Sequence, residues 1–251
     1  DGLIGVRAFM RWDWRKGNQV IRSVRAVDTA THPDFQGKGI FRKLTMQLAE
    51  QCKNGGIGFI FNTPNKLSRP GYLKMGWESL GRMPVFIMPF LNFGRSQEAK
   101  PGIYSWNSRV ISSVLKKSNW PVSITTAYSL EFLEWRYHLN PNIKYHVLSC
   151  ESEDFFAIFR IKPFRFGKEL RICEVVFSKE NRINQFAESL EKCAKSYGAN
   201  LVTFAGVRIP LSSIRKMELK VGPVITINPL RLDKSLTFED WRPTLGDMEL
   251  F

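Results

Sequence analysis

Polar and apolar positions alternate along Arg22-Ser23-Val24-Arg25-Ala26-Val27-Asp28-Thr29-Ala30-Thr31, a stretch that also carries β-branched side chains. A period of two with that composition predicts a strand. The period then changes: Phe41, Leu44, Leu48 and Cys52 recur at the spacing of one helix face, which predicts an amphipathic helix. Between the two lies His32-Pro33-Asp34-Phe35-Gln36-Gly37-Lys38-Gly39-Ile40-Phe41-Arg42, so Gly37 and Gly39 fall at a strand-to-helix junction. Upstream, residues 2–14 read as a strand, and Lys16-Gly17-Asn18 as the hairpin turn into the next one. Downstream, Gly58-Phe59-Ile60-Phe61-Asn62 is a short apolar strand, and another runs from Val85 to Met88.

Beyond Met88 the pattern breaks. Residues 92–102 are polar and contain glycine and proline, as a linker does. Past them, Ser129 to Leu139 predicts a helix with Ser129 as N-cap and Pro141 beyond its end. Strands from Phe155 to Lys162 and from Leu170 to Phe177 flank Phe166-Gly167-Lys168; a helix from Asn184 to Tyr197 stops at Gly198, and Asn200 to Ala205 is a strand. A short helix near Ser213 and a strand from Val224 to Ile227 complete an order that repeats the first half. The chain is therefore expected to divide into a unit over 1–92, a connecting segment over 93–126 and a second unit over 127–251. The second junction, Ser178-Lys179-Glu180-Asn181-Arg182, has no glycine and presents an acidic side chain, so no phosphate is expected there.

The 251 residues are 43% hydrophobic and 13% aromatic, enough to bury real cores. The apolar run Met83 to Leu91 is broken by prolines and falls well short of the about 20 residues a bilayer span needs. Four cysteines, Cys52, Cys150, Cys173 and Cys193, and three histidines show no metal-ligand spacing. No metal is expected, and reduced thiols in a cytoplasmic protein are the default reading. The formal charge is +14, and its placement matters more than its size: residues 1–120 hold 19 Lys plus Arg against 7 Asp plus Glu, the remainder 18 against 16. The excess lies in the half with the glycine junction, where it draws anions or simply keeps the surface solvated. No basic tail or aromatic-basic motif accompanies it, which leaves nucleic acid a minor alternative.

At a strand-to-helix junction the first helical amides have no intrahelical acceptor, and the helix dipole makes them an anion site. Glycines let a ligand approach and permit positive φ. Such turns also occur merely to close a β-α connection, so a second pattern is needed. It is supplied by Asn65-Lys66-Leu67-Ser68-Arg69-Pro70-Gly71-Tyr72-Leu73-Lys74-Met75-Gly76-Trp77. Together the two segments resemble the GCN5-related N-acetyltransferase (GNAT) superfamily. Gln36-Gly37-Lys38-Gly39-Ile40-Phe41 matches that family's phosphate loop except at Phe41, which replaces a small residue, and Asn65, Tyr72, Lys74, Gly76 and Trp77 fill its later pattern.

The resemblance implies an α/β fold of α+β type: a mixed, mostly antiparallel sheet with flanking helices, here as tandem GNAT-like units of which the second is degenerate. It also implies a strand and one or two helices before Asp1, so the chain reads as a fragment. The activity it implies is N-acetyl transfer from acetyl-CoA, as cosubstrate, to a primary amine. Amides of Gly37, Lys38, Gly39, Ile40, Phe41 and Arg42, with Gln36, would hold the pyrophosphate; Thr29, Ala30 and Thr31 would pair with the pantetheine arm; Asn65 would anchor that arm; Tyr72 would be the general acid. Asn65 follows Pro64 and is equally placed to cap the next helix, and Tyr72 also suits an aromatic core. The position where some relatives carry a catalytic carboxylate is Ile60, leaving Asp28 and the terminal carboxylate of Phe251 as base candidates. Alternatives are an aminoacyl or peptidyl transferase built of paired GNAT-like units and a non-catalytic CoA-binding module. The acceptor and the oligomeric state are not legible in the sequence.

Overall fold

The computed structural model describes residues 2–90, 104–179, 182–206, 217–232 and 236–248. In chain order its elements are β1 (Gly5–Arg11), β2 (Trp14–Lys16), β3 (Gln19–Ile21), β4 (Ser23–Thr31), α1 (Ile40–Asn54), β5 (Phe59–Asn62), α2 (Arg69–Lys74), β6 (Glu78–Arg82) and β7 (Val85–Pro89). There follow α3 (Ser108–Lys117), β8 (Ile124–Thr126), α4 (Leu130–Leu133), β9 (His146–Ser149), β10 (Phe155–Phe164), β11 (Gly167–Phe177), α5 (Ile183–Tyr197), β12 (Leu201–Phe204), β13 (Met217–Leu219), β14 (Val224–Pro229) and α6 (Leu245–Met248). They form two compact units. One comprises Asp1–Met83, Val122–Ala127 and Pro223–Trp241, the other Pro84–Pro121, Tyr128–Gly222 and Arg242–Phe251.

The first unit is built on a five-stranded sheet of order β1-β4-β5-β14-β6. Only β4 and β5 run parallel, because α1 carries the chain from one to the other, as a parallel connection requires. β5 is buried on both faces, so its side chains divide. Ile60 joins Val24, Ala26, Ala49, Tyr72, Met75 and Trp77 in the core beneath α1. Phe59 and Phe61 face the other way, into an aromatic cluster with Trp14 and Trp241. A small sheet of order β3-β2-β8 belongs to the same unit.

The second unit holds a six-stranded sheet of order β13-β7-β12-β11-β10-β9, with β11 and β12 parallel. Its core of Met88, Leu148, Phe155, Phe159, Leu170, Phe186, Leu190 and Val202, among others, lies between α5 and the sheet. The antiparallel pair β10-β11, then α5, then parallel β12 reproduces the path β1-β4-α1-β5 of the first unit. Ser129 caps α4 as its position predicts, accepting from the Phe132 amide, and Gly198 ends α5 in the left-handed region with φ 64°.

Several expectations need correcting. The strand Val224–Pro229 does not complete the second unit; it lies between β5 and β6 in the first sheet. Conversely β7, read as the end of the first unit, pairs with β12 and β13 in the second sheet. Each sheet thus receives one strand from the sequence neighbourhood of the other. The single strand expected over residues 2–14 is two, because the chain turns at Trp12-Asp13, where Asp13 Oδ2 accepts from both Nε and Nη2 of Arg11 and the Asp13 carbonyl accepts from the Ala127 amide. The segment 93–126 contains α3 and β8, and β9 was not foreseen. The short helix near Ser213, the linker at 92–102 up to residue 103, and the Phe251 carboxylate lie outside the described residues. Among the described residues no helix is long and apolar enough to cross a membrane.

Candidate functional site

The junction between β4 and α1 has the geometry of an anion cradle. Gly37 and Gly39 hold φ of 74° and 75°, a left-handed conformation that side-chain-bearing residues rarely adopt. A Cβ on either would meet no atom within 4 Å, so both glycines face open space. The first helical hydrogen bond of α1 runs from the Lys43 amide to the Gly39 carbonyl at 3.0 Å. The amides of Ile40, Phe41 and Arg42 therefore precede the helical ladder. No side chain caps α1, and no acidic residue occupies its first turn, so nothing in that turn offsets the positive end of its dipole. Gln36 closes the loop by donating from Nε2 to the Thr31 carbonyl at 3.4 Å, and Lys38 lies 4.5 Å from the Phe35 ring centroid.

Leading to that cradle, β4 offers an open main-chain edge. Its ladder with β5 covers Ser23 to Arg25, yet β4 continues to Thr31. On its other side β4 stays paired with β1, Thr29 opposite Arg7, Ala30 opposite Val6 and Thr31 opposite Gly5. The register shifts between Arg7 and Phe9, so Val27 and Asp28 together stand opposite Ala8. Such a bulge bends the strand and frees main-chain groups from the ladder. Two of the freed carbonyls, Val27 and Asp28, accept from Arg7 Nη1 at 3.1 and 3.4 Å.

The Tyr72 side chain projects from α2 into this region and is 4% exposed. Its hydroxyl oxygen accepts a 2.7 Å bond from Arg7 Nη2. Burial raises the phenol above its ordinary value, while the Arg7 charge and hydrogen bonds from Arg7 and Asn62 pull the other way. The net direction is upward, so the phenol is protonated at neutral pH. Asn62 is buried and in turn accepts from Thr226 on β14. The Phe41 ring packs edge-on against Tyr72, 5.4 Å between centroids; it fills the space between α1 and α2 rather than the open side of the glycine loop.

The structure thus gathers Gln36 to Arg42, the Thr29 to Thr31 edge and Tyr72 in the first unit. Asn65 closes the turn ahead of α2 rather than capping the helix, whose N-cap is Ser68: its Oδ1 accepts from the Leu67 and Ser68 amides at 3.0 and 2.8 Å and from the Ser68 hydroxyl. Its side-chain amide remains exposed. Asp28 sits at the bulge with an exposed side chain and acts electrostatically on Arg7. Gly76, with φ of 91°, and Trp77, buried against Tyr72, are structural. Arg7 and Asn62 were not singled out in the sequence. The usable signal for Asn62 was a polar residue two positions after Ile60 on an otherwise apolar strand. At the second junction, Arg182 precedes α5 and pairs with Asp154 at 3.1 Å, while the Ser178 amide bonds the Asp154 carbonyl.

Residues 1–80 match the acetyltransferase (GNAT) domain family. No curated protein matches the chain. Solved structures similar to it include a GCN5-related N-acetyltransferase from Anabaena variabilis ATCC 29413, 13% identical with a TM-score of 0.58 over 89% of this chain and 59% of that one. Another from Kribbella flavida is 12% identical, TM-score 0.61, over 92% and 58%. A conserved protein of unknown function from Enterococcus faecalis V583, a probable N-acyltransferase, is 13% identical, TM-score 0.65, over 91% and 59%. The chain spans somewhat under two thirds of the length of these neighbours. The family match falls within the first unit, and the fold is that of the GCN5-related N-acetyltransferases.

Proposed function

We propose that the first unit binds acetyl-CoA and transfers its acetyl group to a primary amine by direct attack of the amine. The observation that carries this reading is the loop itself: two left-handed glycines open to solvent, followed by three amides ahead of the first helical bond. Those features suit a pyrophosphate, which the amides of Gly37 to Arg42 would bind, with Gln36 bracing the loop. The open edge at Thr29, Ala30 and Thr31 suits an extended arm bearing amides, which adds to it as a strand does. Asn65 has its side-chain NH2 left for the same arm. A thioester bound there supplies the activated acyl carbon.

Tyr72 is the proton donor to the departing sulfur in this reading. Its buried phenol keeps its proton at neutral pH and bonds Arg7, the residue opposite Thr29 in the β1-β4 ladder. Asp28 is the carboxylate offered by the same strand to accept the proton that the amine loses. The acceptor is a neutral amine at the moment of attack, so turnover rises with pH through the amine's own ionisation.

Removing the phenolic hydroxyl while keeping the ring separates donor from packing group. Tyr72→Phe is expected to lower kcat for amine-dependent thiol release from acetyl-CoA by about 100-fold, the usual contribution of a general acid, with the KM for acetyl-CoA little changed. Unchanged turnover in that variant would remove Tyr72 from the chemistry.

A further inference from the structure

We infer that Arg7 is a positioning residue for proton transfer at Tyr72: it fixes the phenol by a charged hydrogen bond and balances the negative charge left when the proton departs. This rests on the reading of Tyr72 as proton donor. The guanidinium is held on two sides. Nη1 is anchored on the Val27 and Asp28 carbonyls that the β4 bulge releases, and Nη2 reaches the Tyr72 oxygen at 2.7 Å. Its carbon lies 4.8 Å from the Phe9 ring centroid, and Phe41 and Tyr72 supply two further ring contacts. A planar fork can bridge bulge and phenol at once; an ammonium on a flexible stem cannot.

The arrangement is a poor stabilising device. Burial holds the Arg7 guanidinium below its ordinary value, and its buried Nε has no hydrogen-bond partner among the described residues. A neutral side chain of similar length would fill the same space without desolvating a charge. What the charge does provide is a counter-ion within hydrogen-bond distance of the one hydroxyl in the proposed chemistry. Facing that hydroxyl are Arg7 from β1 and the Asn62 amide from β5. The ring is covered by Phe41 from α1 and by Trp77. Asp28 on β4 is the acidic group that acts on Arg7.

The step balances without another reactant. The amine lone pair forms the C–N bond, the C–S bond breaks, and its electron pair stays on sulfur. The Tyr72 O–H proton moves to that sulfur, leaving a phenolate beside the Arg7 cation. The proton that the attacking nitrogen sheds goes to Asp28 and passes from there through solvent to the phenolate, which restores both groups.

Arg7→Gln keeps a hydrogen-bond donor and removes the charge, whereas Arg7→Lys keeps the charge and loses the fork. The Tyr72 ionisation is read on the ligand-free protein as the ultraviolet phenolate absorbance of each chain minus that of the same chain carrying Tyr72→Phe. In Arg7→Gln it is expected about one pH unit higher than in the unaltered protein, with Arg7→Lys between the two. kcat for acetyl-CoA-dependent amine acylation should fall about tenfold in Arg7→Gln, recover in part in Arg7→Lys, and leave the KM for acetyl-CoA nearly unchanged. A Tyr72 titration that stays put in both Arg7 variants overturns the inference while leaving Tyr72 as donor. Full turnover in Tyr72→Phe overturns the donor reading itself, and the inference with it.

Discussion

Trp241→Ala should destabilise the first unit by about 3–5 kcal/mol, the range for deleting a fully buried Trp or Phe. Against a typical total of about 5–15 kcal/mol, that is a large fraction of the stability. Trp241 has no exposed surface. Its ring meets Trp14, Phe59 and Phe61 edge-on at centroid distances of 5.0, 5.7 and 5.5 Å, an arrangement that adds to the burial energy. The same residue forms a parallel bridge with Ile124. Removing the side chain leaves a cavity walled by rigid aromatics, which collapse poorly into it. Trp241→Phe should cost only about 1 kcal/mol: the indole N–H has no hydrogen-bond partner among the described residues, so losing it offsets part of the lost contact area. Urea unfolding followed by tryptophan fluorescence measures both. Equal losses in the two variants would mean that the cluster is not the tightly packed core described.

The second large effect is a pH dependence set in the second unit. Glu174 is 1% exposed, and its carboxyl accepts hydrogen bonds from Tyr128 and Tyr137. Burial, reinforced by the nearby charge of Asp247, pushes its pKa up to about 8. Asp247 is itself fully buried and accepts from the Thr244 amide and hydroxyl. From pH about 4.5 to pH about 8 the folded chain retains a proton that the unfolded chain has released, so stability falls as pH rises through that window and levels off above it. The full span corresponds to about 5 kcal/mol. Glu174→Gln has nothing to ionise and can still meet both tyrosine hydroxyls. The variant should match the unaltered protein at about pH 5 and exceed its stability by several kcal/mol at about pH 9. An unchanged pH slope in Glu174→Gln would place the proton uptake elsewhere.

What the sequence revealed and what it withheld follow from how local each feature is. The glycine loop was legible because three local signals coincide there: an alternating strand, positive-φ residues and a helical period. The place of Tyr72 followed from the family resemblance, whose ordered spacing runs from Asn65 to Trp77. Arg7 was not legible, since a charged residue in an alternating strand reads as solvent-facing. Its role depends on a β4 bulge more than twenty residues away in sequence and on Tyr72. Phe41 departs from the family's small residue, and its direction, edge-on to the Tyr72 ring, is something one-dimensional spacing does not show. The strand at Val224–Pro229 was recognised as a strand, but nothing in its own residues says which sheet it enters. Its partners are Asn62 to Phe59 on one side and Glu78 to Arg82 on the other. Helix α3 did leave a signal: Asn107 caps it by accepting from the Val110 amide, and buried Ile111 and Val114 lie three residues apart. The polar stretch before it concealed that pattern.

Calorimetric titration of the protein with acetyl-CoA and with desulfo-CoA, beside the Gly37→Glu and Gly39→Glu variants, tests the central claim most directly. Each variant sets a carboxylate in the cradle and imposes a side chain on a left-handed φ, so both anion binding and loop geometry are lost. The account predicts micromolar binding of both ligands to the unaltered chain and a loss of about 100-fold or more in each variant. Absence of binding to the unaltered protein, or equal affinity in the glutamate variants, would contradict it.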